Sequence, residues 1–218
     1  HALMGAARPS VVAGFGGYPS FPPLVAAGMR GIPTLLHEQN AVLGRANRML
    51  ARRVSVIATS FQKVGLVDPA IAGKLRFTGN PVRQAVLDSA AQPYDLPFTS
   101  GPFRLLVTGG SQGARYFSDA VPPALALLPP AQRVRLRVVQ QAREEDVERT
   151  RAAYAGAGIQ AEVSTFFRDL PARMAISHLV IARAGASTVA ELAVIGRPSI
   201  LVPLPHALDN DQLRNATT

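Results

Sequence analysis

Cysteine and tryptophan are both absent from the 218 residues. Disulfide bonds and thiol chemistry are therefore excluded, which is typical of a reducing compartment such as the cytoplasm. Aromatic residues make up only 6% of the chain, and no RRM, KH or zinc-finger signature is present, so nucleic acid is not expected as a partner. The sequence holds no run of about 18 apolar residues that would cross a bilayer.

Charge is distributed unevenly along a chain with a net charge of +9. Residues 1–100 contain ten Lys and Arg against four Asp and Glu, a balance of +6, whereas residues 101–218 carry +3. A basic first part favours phosphates or an anionic lipid surface as partners. A solvated basic surface would give the same balance, so charge alone leaves both interpretations open.

The stretch Arg104–Arg115 predicts a phosphate-binding element. A short apolar run, typical of a buried strand, leads into a Gly-Gly-Ser-Gln-Gly turn and then into a segment that favours a helix. A glycine turn before a helix start lets a ligand approach free N–H groups, and Ser111 and Gln112 add side-chain donors. The spacing matches neither G-x-G-x-x-G nor a Walker loop, so a tight turn without a ligand remains the alternative.

The first half of the chain contains a second strand followed by glycines. Ser10–Ala13 is predicted as a strand, and Gly14–Tyr18 follows as a turn that can present N–H groups to an anion. His37-Glu38-Gln39-Asn40 comes after the predicted strand Thr34–Leu36, where residues of an open α/β sheet line a ligand crevice. A polar loop that caps the predicted helix Ala41–Val54 is the alternative interpretation.

The second half ends with two polar segments. Ser187 or Thr188, with Glu191 a few residues on, resembles a capping box that opens a helix, and the same glycine, hydroxyl and carboxylate groups suit a phosphate and a diol. Asp209-Asn210-Asp211 imitates a D-x-D metal motif. Because it precedes a helix start, where Asp is an ordinary cap, no metal is expected there.

Strands and helices alternate throughout, so the sequence predicts an α/β class with parallel sheets. We expect residues 1–83 to be the later part of a first domain. Residues 84–102 are expected to form a linker, because prolines and a glycine interrupt any periodicity after Gln92. Residues 103–218 are expected to form a second domain.

Five ordered motifs resemble the MurG family and extend along nearly the whole chain. They are Phe15-Gly16-Gly17-Tyr18, Leu36-His37-Glu38-Gln39-Asn40-Ala41, Gly79-Asn80-Pro81-Val82-Arg83, Gly109-Gly110-Ser111-Gln112-Gly113-Ala114 and Arg183-Ala184-Gly185-Ala186-Ser187-Thr188-Val189-Ala190-Glu191. The resemblance implies a GT-B fold, in which two Rossmann-like parallel-sheet domains face each other across a cleft. Here the first domain would be truncated.

The resemblance also implies roles for particular residues. UDP-N-acetylglucosamine (UDP-GlcNAc) would be bound by Asn40, Arg83, Ser111, Phe167, Ala186, Ser187, Thr188, Val189, Ala190, Glu191 and Gln212. Glu191 would accept from the ribose hydroxyls, Ser111 would donate to the diphosphate, the backbone of Phe167 would recognise uracil, and Gln212 would hold sugar hydroxyls. The acceptor's diphosphate would lie on Gly14, Gly16, Gly17 and Tyr18.

MurG-type enzymes move N-acetylglucosamine from UDP-GlcNAc to the 4-hydroxyl of MurNAc in lipid I, giving lipid II for peptidoglycan. The resemblance therefore implies an inverting transferase without a metal or cofactor, peripheral on an anionic membrane at the cytoplasmic face of the bacterial inner membrane. A noncatalytic nucleotide-sugar-binding module and a UDP-GlcNAc epimerase of similar fold are the alternatives.

The family's opening glycine-rich loop, with the histidine proposed as catalytic base, has no match here, and neither do its last helices. We therefore expect this piece alone to be inactive. His37 is the remaining histidine candidate for a base, although a structural role is the stronger expectation for it.

Overall fold

The structure is a computed structural model that describes residues 2–97, 101–110 and 114–218. Its contacts divide the chain into two compact units. The first unit runs to Pro81 and also takes in Gly185–Ser187 and Pro203–Thr218, and the second comprises Val82–Ala184 and Thr188–Val202. The last segment, Pro203–Thr218, thus makes its contacts within the first unit.

The first unit is built on a four-stranded parallel sheet. Its strands are β1 (Val12–Gly14), β2 (Thr34–Glu38), β3 (Val56–Thr59) and β4 (Leu75–Phe77), in the order β1-β2-β3-β4. Its helices before β4 are α1 (Ala2–Ala7), α2 (Phe21–Gly28) and α3 (Arg45–Ala51), with 3-10 turns at Tyr18–Ser20 and Pro69–Lys74. The core of the unit consists of Leu24, Leu36, Leu43, Leu50, Ala51, Val54, Ile57 and Ile71.

Helix α3 is shorter than the predicted helix Ala41–Val54. Val42 forms an isolated parallel bridge with Gly65, and the helix begins only at Arg45, with Gly44 as its N-cap. The carboxylate of Glu38 accepts from the backbone N–H of Gly44 at 2.9 Å. A side chain from the preceding strand therefore supplies an acceptor at the helix start, and residues 41–44 remain extended or turned.

The second unit has a five-stranded parallel sheet in the order β7-β6-β5-β8-β9. The strands are β5 (Phe103–Thr108), β6 (Leu136–Gln141), β7 (Gln160–Ser164), β8 (Leu179–Ala182) and β9 (Ser199–Leu201). The helices are α4 (Gln84–Ala90), α5 (Arg115–Ala126), α6 (Pro130–Arg133), α7 (Val147–Gly156), α8 (Leu170–Ile176) and α9 (Ala186–Ile195), with a 3-10 turn at Glu144–Asp146. Helix α4 lies within the expected linker.

Both faces of the second sheet are covered, as the continuous apolar run of β5 requires. Leu105 and Val107 point into one core, and Leu106 between them points into the other. The first core contains Ala114, Phe117, Val121, Leu136, Val138, Ala142, Tyr154, Ile159 and Val163, and the second contains Val86, Met174, Ala175, Val180, Ala182, Leu192 and Ile195. The sheet therefore sits between two helical layers.

Helix α5 continues through Pro122 and Pro123. A proline removes one helical N–H and usually bends or ends a helix. Phe117, Val121 and Pro122 are buried on the side of α5 that meets the sheet. Packing of this apolar stripe against β5 and β6 stabilises the helix despite the two missing donors.

The chain ends in a 3-10 turn at Leu208–Asn210 and helix α10 (Asp211–Thr217), both within the first unit. Asp209 and Asn210 have φ angles of 56° and 52°, a left-handed conformation that Asp and Asn tolerate better than most residues. Over the described residues, no helix is both long and apolar enough to span a membrane.

Candidate functional site

The order of the second sheet reverses direction at β5, since β6 and β7 lie on one side of it and β8 and β9 on the other. In open parallel sheets, ligands bind beyond the carboxyl ends of the strands at such a reversal. Gly109 and Gly110 follow β5 there, and Gly110 has a φ of 85°, which favours glycine. Ser111, Gln112 and Gly113 lie outside the described residues, so the role expected of Ser111 stays a prediction.

Arg83 and Glu191 form an ion pair within the second unit. Nη2 of Arg83 donates to Oε1 of Glu191 at 3.0 Å, and the side chains are 65% and 14% exposed, respectively. Because α9 begins at Ala186, Glu191 lies in its second turn, too far from the helix start for the predicted capping box. The structure therefore brings together two residues that the family resemblance assigned to the UDP-sugar, and Glu191 accepts from Arg83 instead of capping the helix.

Phe167 lies in a braced loop between β7 and α8. Its ring is buried, and the guanidinium carbon of Arg173 lies 4.5 Å from the ring centroid. Arg173 also donates to Glu162 at 2.6 Å and to Asp169 at 2.8 Å. The hydrogen bond from Arg173 holds the pKa of Asp169 below its usual value. A loop fixed in this way suits recognition by backbone groups, as expected of Phe167.

The loop after β1 has two glycines in the left-handed region. Gly16 and Gly17 have φ angles of 83° and 72°, and the hydroxyl of Ser20 donates to the carbonyl of Gly16 at 2.7 Å. Gly14 is required for another reason, because a Cβ there would lie 2.5 Å from Cδ1 of Leu24. The side chain of Tyr18 is 89% exposed. The loop thus combines two left-handed glycines with an open surface, which suits a turn that presents N–H groups to an anion.

His37 is buried within β2, and both ring nitrogens are engaged. Nε2 lies 3.1 Å from the carbonyl oxygen of Gly79, and Nδ1 lies 3.2 Å from Nε2 of Gln39. A carbonyl only accepts, so Nε2 carries the proton and Nδ1 accepts from the amide of Gln39. Gln39 also donates to the carbonyl of Phe15 at 3.1 Å. His37 therefore ties the end of β2 to two neighbouring loops.

Glu38, also within β2, is a buried carboxylate whose structural role the sequence did not indicate. Its Oε1 accepts from the backbone N and from Nδ2 of Asn40 at 2.9 and 3.3 Å. Its Oε2 accepts from Gly44 N at 2.9 Å and from Nδ2 of Asn47 at 2.6 Å. Four donors on one buried carboxylate shape the loop that carries Asn40. The available signal was an acidic residue at the buried end of a strand, two positions before a predicted ligand contact.

The contacts divide the predicted site residues between the two units. The first unit holds Gly14, Gly16, Gly17, Tyr18, Asn40, Ala186, Ser187 and Gln212, and the second holds Arg83, Phe167, Thr188, Val189, Ala190 and Glu191. Gln212 uses Oε1 to accept from the backbone N of Leu204 at 2.9 Å. Asn215, three residues later on the same helix, was missed as well, although it binds Asn40 and Ala41.

The acidic residues of the D-x-D sequence have other partners. Oδ2 of Asp209 lies 3.1 Å from Nη1 of Arg48, and Oδ1 of Asp211 accepts from the backbone N of Gln212 at 2.6 Å. Within the described parts of the chain, no group of three or more His, Asp or Glu side chains could hold a metal ion. Asn210, not Asp209 or Asp211, is the N-cap residue of α10.

The sequence also matches known families along most of its length. The glycosyltransferase family 28 C-terminal domain matches residues 104–218, and the N-terminal domain of that family matches residues 1–59. Structures at low identity share the fold. A UDP-GlcNAc 2-epimerase from Neisseria meningitidis has a TM-score of 0.64 at 14% identity, over 92% of this chain and 60% of that one.

Several relatives carry the name UDP-N-acetylglucosamine--N-acetylmuramyl-(pentapeptide) pyrophosphoryl-undecaprenol N-acetylglucosamine transferase. The protein from Methylobacterium sp. (strain 4-46) is 63% identical over 96% of this chain, and that from Bradyrhizobium sp. (strain ORS 278) is 58% identical over 98%. The chain spans 56% and 58% of their lengths. The MurG crystal structure from Acinetobacter baumannii has a TM-score of 0.78 at 35% identity, over 99% of this chain and 59% of that one.

These matches agree with the two parallel sheets, so the predicted GT-B class and the resemblance to the MurG family are both confirmed. The chain belongs to glycosyltransferase family 28.

Proposed function

We propose that the protein containing this chain transfers N-acetylglucosamine from UDP-GlcNAc to the 4-hydroxyl of MurNAc in lipid I, giving lipid II for peptidoglycan synthesis. The observation that carries the proposal is the identity of 58–63% to transferases named for this reaction, extending over nearly the whole chain. The 4-hydroxyl attacks C1 of the donor sugar while a general base takes its proton, the C1–O bond to the diphosphate breaks, and UDP leaves. One displacement inverts the configuration at C1.

The Arg83–Glu191 pair supports the donor side of this proposal. A carboxylate that is only 14% exposed suits the two hydroxyls of a ribose, which donate hydrogen bonds to it in place of Arg83. The guanidinium of Arg83 is then available to the diphosphate, on which negative charge grows as the bond to C1 breaks. Stabilisation of that charge by fixed donors is a large part of such catalysis.

We propose that His37 supports the fold and is not the base of the reaction. As a base it would need the lone pair of Nδ1, which accepts the hydrogen bond from Gln39 at 3.2 Å. Its burial and its hydrogen bond to Gly79 also hold the ring within the first unit. Gln39, which follows β2, donates a hydrogen bond to Phe15 in the loop Gly14–Tyr18, and this loop is the proposed binding site of the acceptor's diphosphate.

We also propose that the protein is peripheral on the cytoplasmic face of the bacterial inner membrane, where a lipid-linked acceptor is presented. The first unit exposes several large apolar side chains, among them Phe15, Tyr18, Met29, Met49 and Phe77. The charge balance of +6 over residues 1–100 adds attraction to anionic lipid. Apolar contact and charge together give firmer binding than either alone.

Incubation of the intact protein with UDP-GlcNAc tests the proposal, first alone and then with lipid I. A transferase leaves the nucleotide sugar unchanged without acceptor and forms a lipid-linked disaccharide with it. An epimerase would form a new UDP-sugar without any lipid, and a binding module would form no product under either condition. Either of these results would refute the proposed function.

A further inference from the structure

Asn215 lies on the buried side of α10 and has a relative exposure of 3%. Its carboxamide binds two consecutive residues of the loop after β2. Oδ1 accepts from the backbone N–H of Ala41 at 2.8 Å, and Nδ2 donates to Oδ1 of Asn40 at 3.0 Å. All three residues belong to the first unit. Helix α10 therefore directly contacts Asn40, whose side chain the family resemblance assigned to the UDP-sugar.

These contacts set the orientation of both carboxamides. The N–H of Ala41 can only donate, so it fixes which end of Asn215 is oxygen. The NH2 group of Asn215 must then face the oxygen of Asn40, and the NH2 group of Asn40 must face Oε1 of Glu38, 3.3 Å away. Turning either amide over would place donor against donor or oxygen against oxygen. The hydrogen bonds thus form a chain from the backbone N–H of Ala41 through Asn215 and Asn40 to the buried carboxylate of Glu38, and each amide has one allowed orientation.

Asn40 keeps hydrogen-bonding capacity after these contacts. Its NH2 group has two hydrogens and its oxygen two lone pairs, and one of each is used. The side chain is partly exposed, whereas Glu38 and Asn215 are buried. A ligand therefore meets one donor and one acceptor whose positions are already set, which lowers the entropy that binding costs.

We propose that Asn215 is a positioning residue for UDP-GlcNAc binding, which it serves by holding the Asn40 carboxamide in its binding orientation. This inference rests on the proposed function, since it takes the sugar nucleotide as the ligand of Asn40. It gives α10 a part in donor recognition beyond the role expected of Gln212.

Asn215→Asp is the decisive variant, because it changes one NH2 group into an oxygen and keeps the shape. The new carboxylate can still accept from Ala41, but its second oxygen faces Oδ1 of Asn40. If Asn40 turns over, its oxygen faces Glu38 instead. Neither arrangement keeps the Asn40 amide in place, so UDP-GlcNAc affinity should fall about tenfold or more. Arg214→Gln is the matched control, since it makes the same charge change at an exposed neighbour on α10.

A double-mutant cycle in the intact protein separates positioning from general support of the fold. Calorimetry with UDP-GlcNAc should give Asn40→Ala and Asn40→Ala/Asn215→Asp affinities within about twofold of each other, because the proposed effect of Asn215 on the ligand passes through the Asn40 side chain. Arg214→Gln should match the unsubstituted protein. Asn215→Ala repeats the cycle without a buried charge, in case Asn215→Asp does not fold.

Two results would overturn the positioning role. One is an Asn215→Asp or Asn215→Ala protein that binds UDP-GlcNAc within about twofold of the unsubstituted protein. The other is a double variant that binds much more weakly than Asn40→Ala. The NMR signal of the Asn40 side-chain amide provides a readout without ligand, and it should shift in Asn215→Ala and stay in place in Arg214→Gln. If the unsubstituted protein binds no UDP-GlcNAc, the proposed function fails, and an unshifted Asn40 signal would separately refute the positioning geometry.

Discussion

Nη2 of Arg83 lies 3.0 Å from Oε1 of Glu191, so the cation and the carboxylate that the family resemblance assigns to one nucleotide are paired within the second unit. The pair is open to solvent on the arginine side, where exposed ion pairs contribute only about 0–1 kcal/mol to stability. The ion pair therefore matters more for positioning the two side chains than for the stability of the fold. It holds both groups near the proposed positions of ribose and phosphate until a nucleotide exchanges partners with them.

Replacing Glu191 should weaken UDP binding while leaving the fold intact. Glu191→Ala removes the acceptor for the ribose hydroxyls, and a hydrogen bond to a charged group contributes about 1.5–3 kcal/mol. Calorimetry should show UDP affinity lower by roughly tenfold to a hundredfold. Glu148→Ala is the control, because Glu148 is likewise paired with an arginine, Arg151, but lies on α7. Equal UDP affinity in Glu191→Ala and the unsubstituted protein would remove Glu191 from the site.

Stability should decrease between neutral pH and mild acid because of His178. Burial first, and then the nearby charge of Arg104, lower the pKa of His178 from 6.5, while Asp95 opposes the shift. Nδ1 of His178 also accepts from the backbone N of Arg104 at 2.9 Å, which requires the unprotonated nitrogen. The unfolded chain takes up a proton near pH 6.5 before the folded one does, so stability falls from there down to the lowered pKa.

Urea unfolding of the unsubstituted protein and of its His178→Asn variant, measured across this pH range, tests that effect. The carboxamide oxygen introduced by the substitution can replace Nδ1 as acceptor but does not titrate, so the stability curve of the variant should be flatter below pH 6.5. The difference between the two curves isolates His178 from the other histidines. Parallel curves would show that His178 titrates alike in both states. The pKa values of Asp95 and Asp169 are lowered from 3.8, so protonation of these two paired carboxylates reduces stability only in a separate range below pH 3.8.

Gly14→Ala should destabilise the first unit. The added Cβ would lie 2.5 Å from Cδ1 of Leu24 and 3.1 Å from Cβ of Ser20, and Leu24 is buried. Overpacking of this kind costs about 1–3 kcal/mol. Gly28→Ala at the end of α2 is the matched control, because nothing lies within 4 Å of its Cβ position. Chemical denaturation should place the two variants on opposite sides of the unsubstituted protein, and equal stability would contradict the close contact.

The fold followed from the sequence more readily than the site did. Alternating apolar runs and glycine turns predicted the parallel sheets, because these signals are local. The grouping of α10 with the first unit was not predictable, since it depends on pairs far apart in sequence, such as Arg48 with Asp209 and Asn40 with Asn215. The structural role of Glu38 was missed for a similar reason, because its four donors gather only when residues 40–47 turn back on β2.

Membrane binding should depend on anionic lipid, although Arg48 and Arg52 should contribute less than unpaired arginines would. Arg48 is paired with Asp209 at 3.1 Å and Arg52 with Asp68 at 2.5 Å, so part of the expected attraction of about 1 kcal/mol per arginine is already neutralised. Vesicle sedimentation should show binding that needs anionic lipid and weakens with salt. Equal binding to neutral vesicles would contradict the electrostatic contribution and leave the exposed apolar side chains as its source.

The proposed reaction is a single displacement that moves N-acetylglucosamine from UDP to the 4-hydroxyl of MurNAc. The most direct measurement is the NMR spectrum of the disaccharide formed by the intact protein from UDP-GlcNAc and lipid I. One displacement on the α-linked donor inverts C1, so we expect a β linkage to O4 of MurNAc. An α linkage, a bond to another hydroxyl, or no disaccharide at all would contradict this reaction.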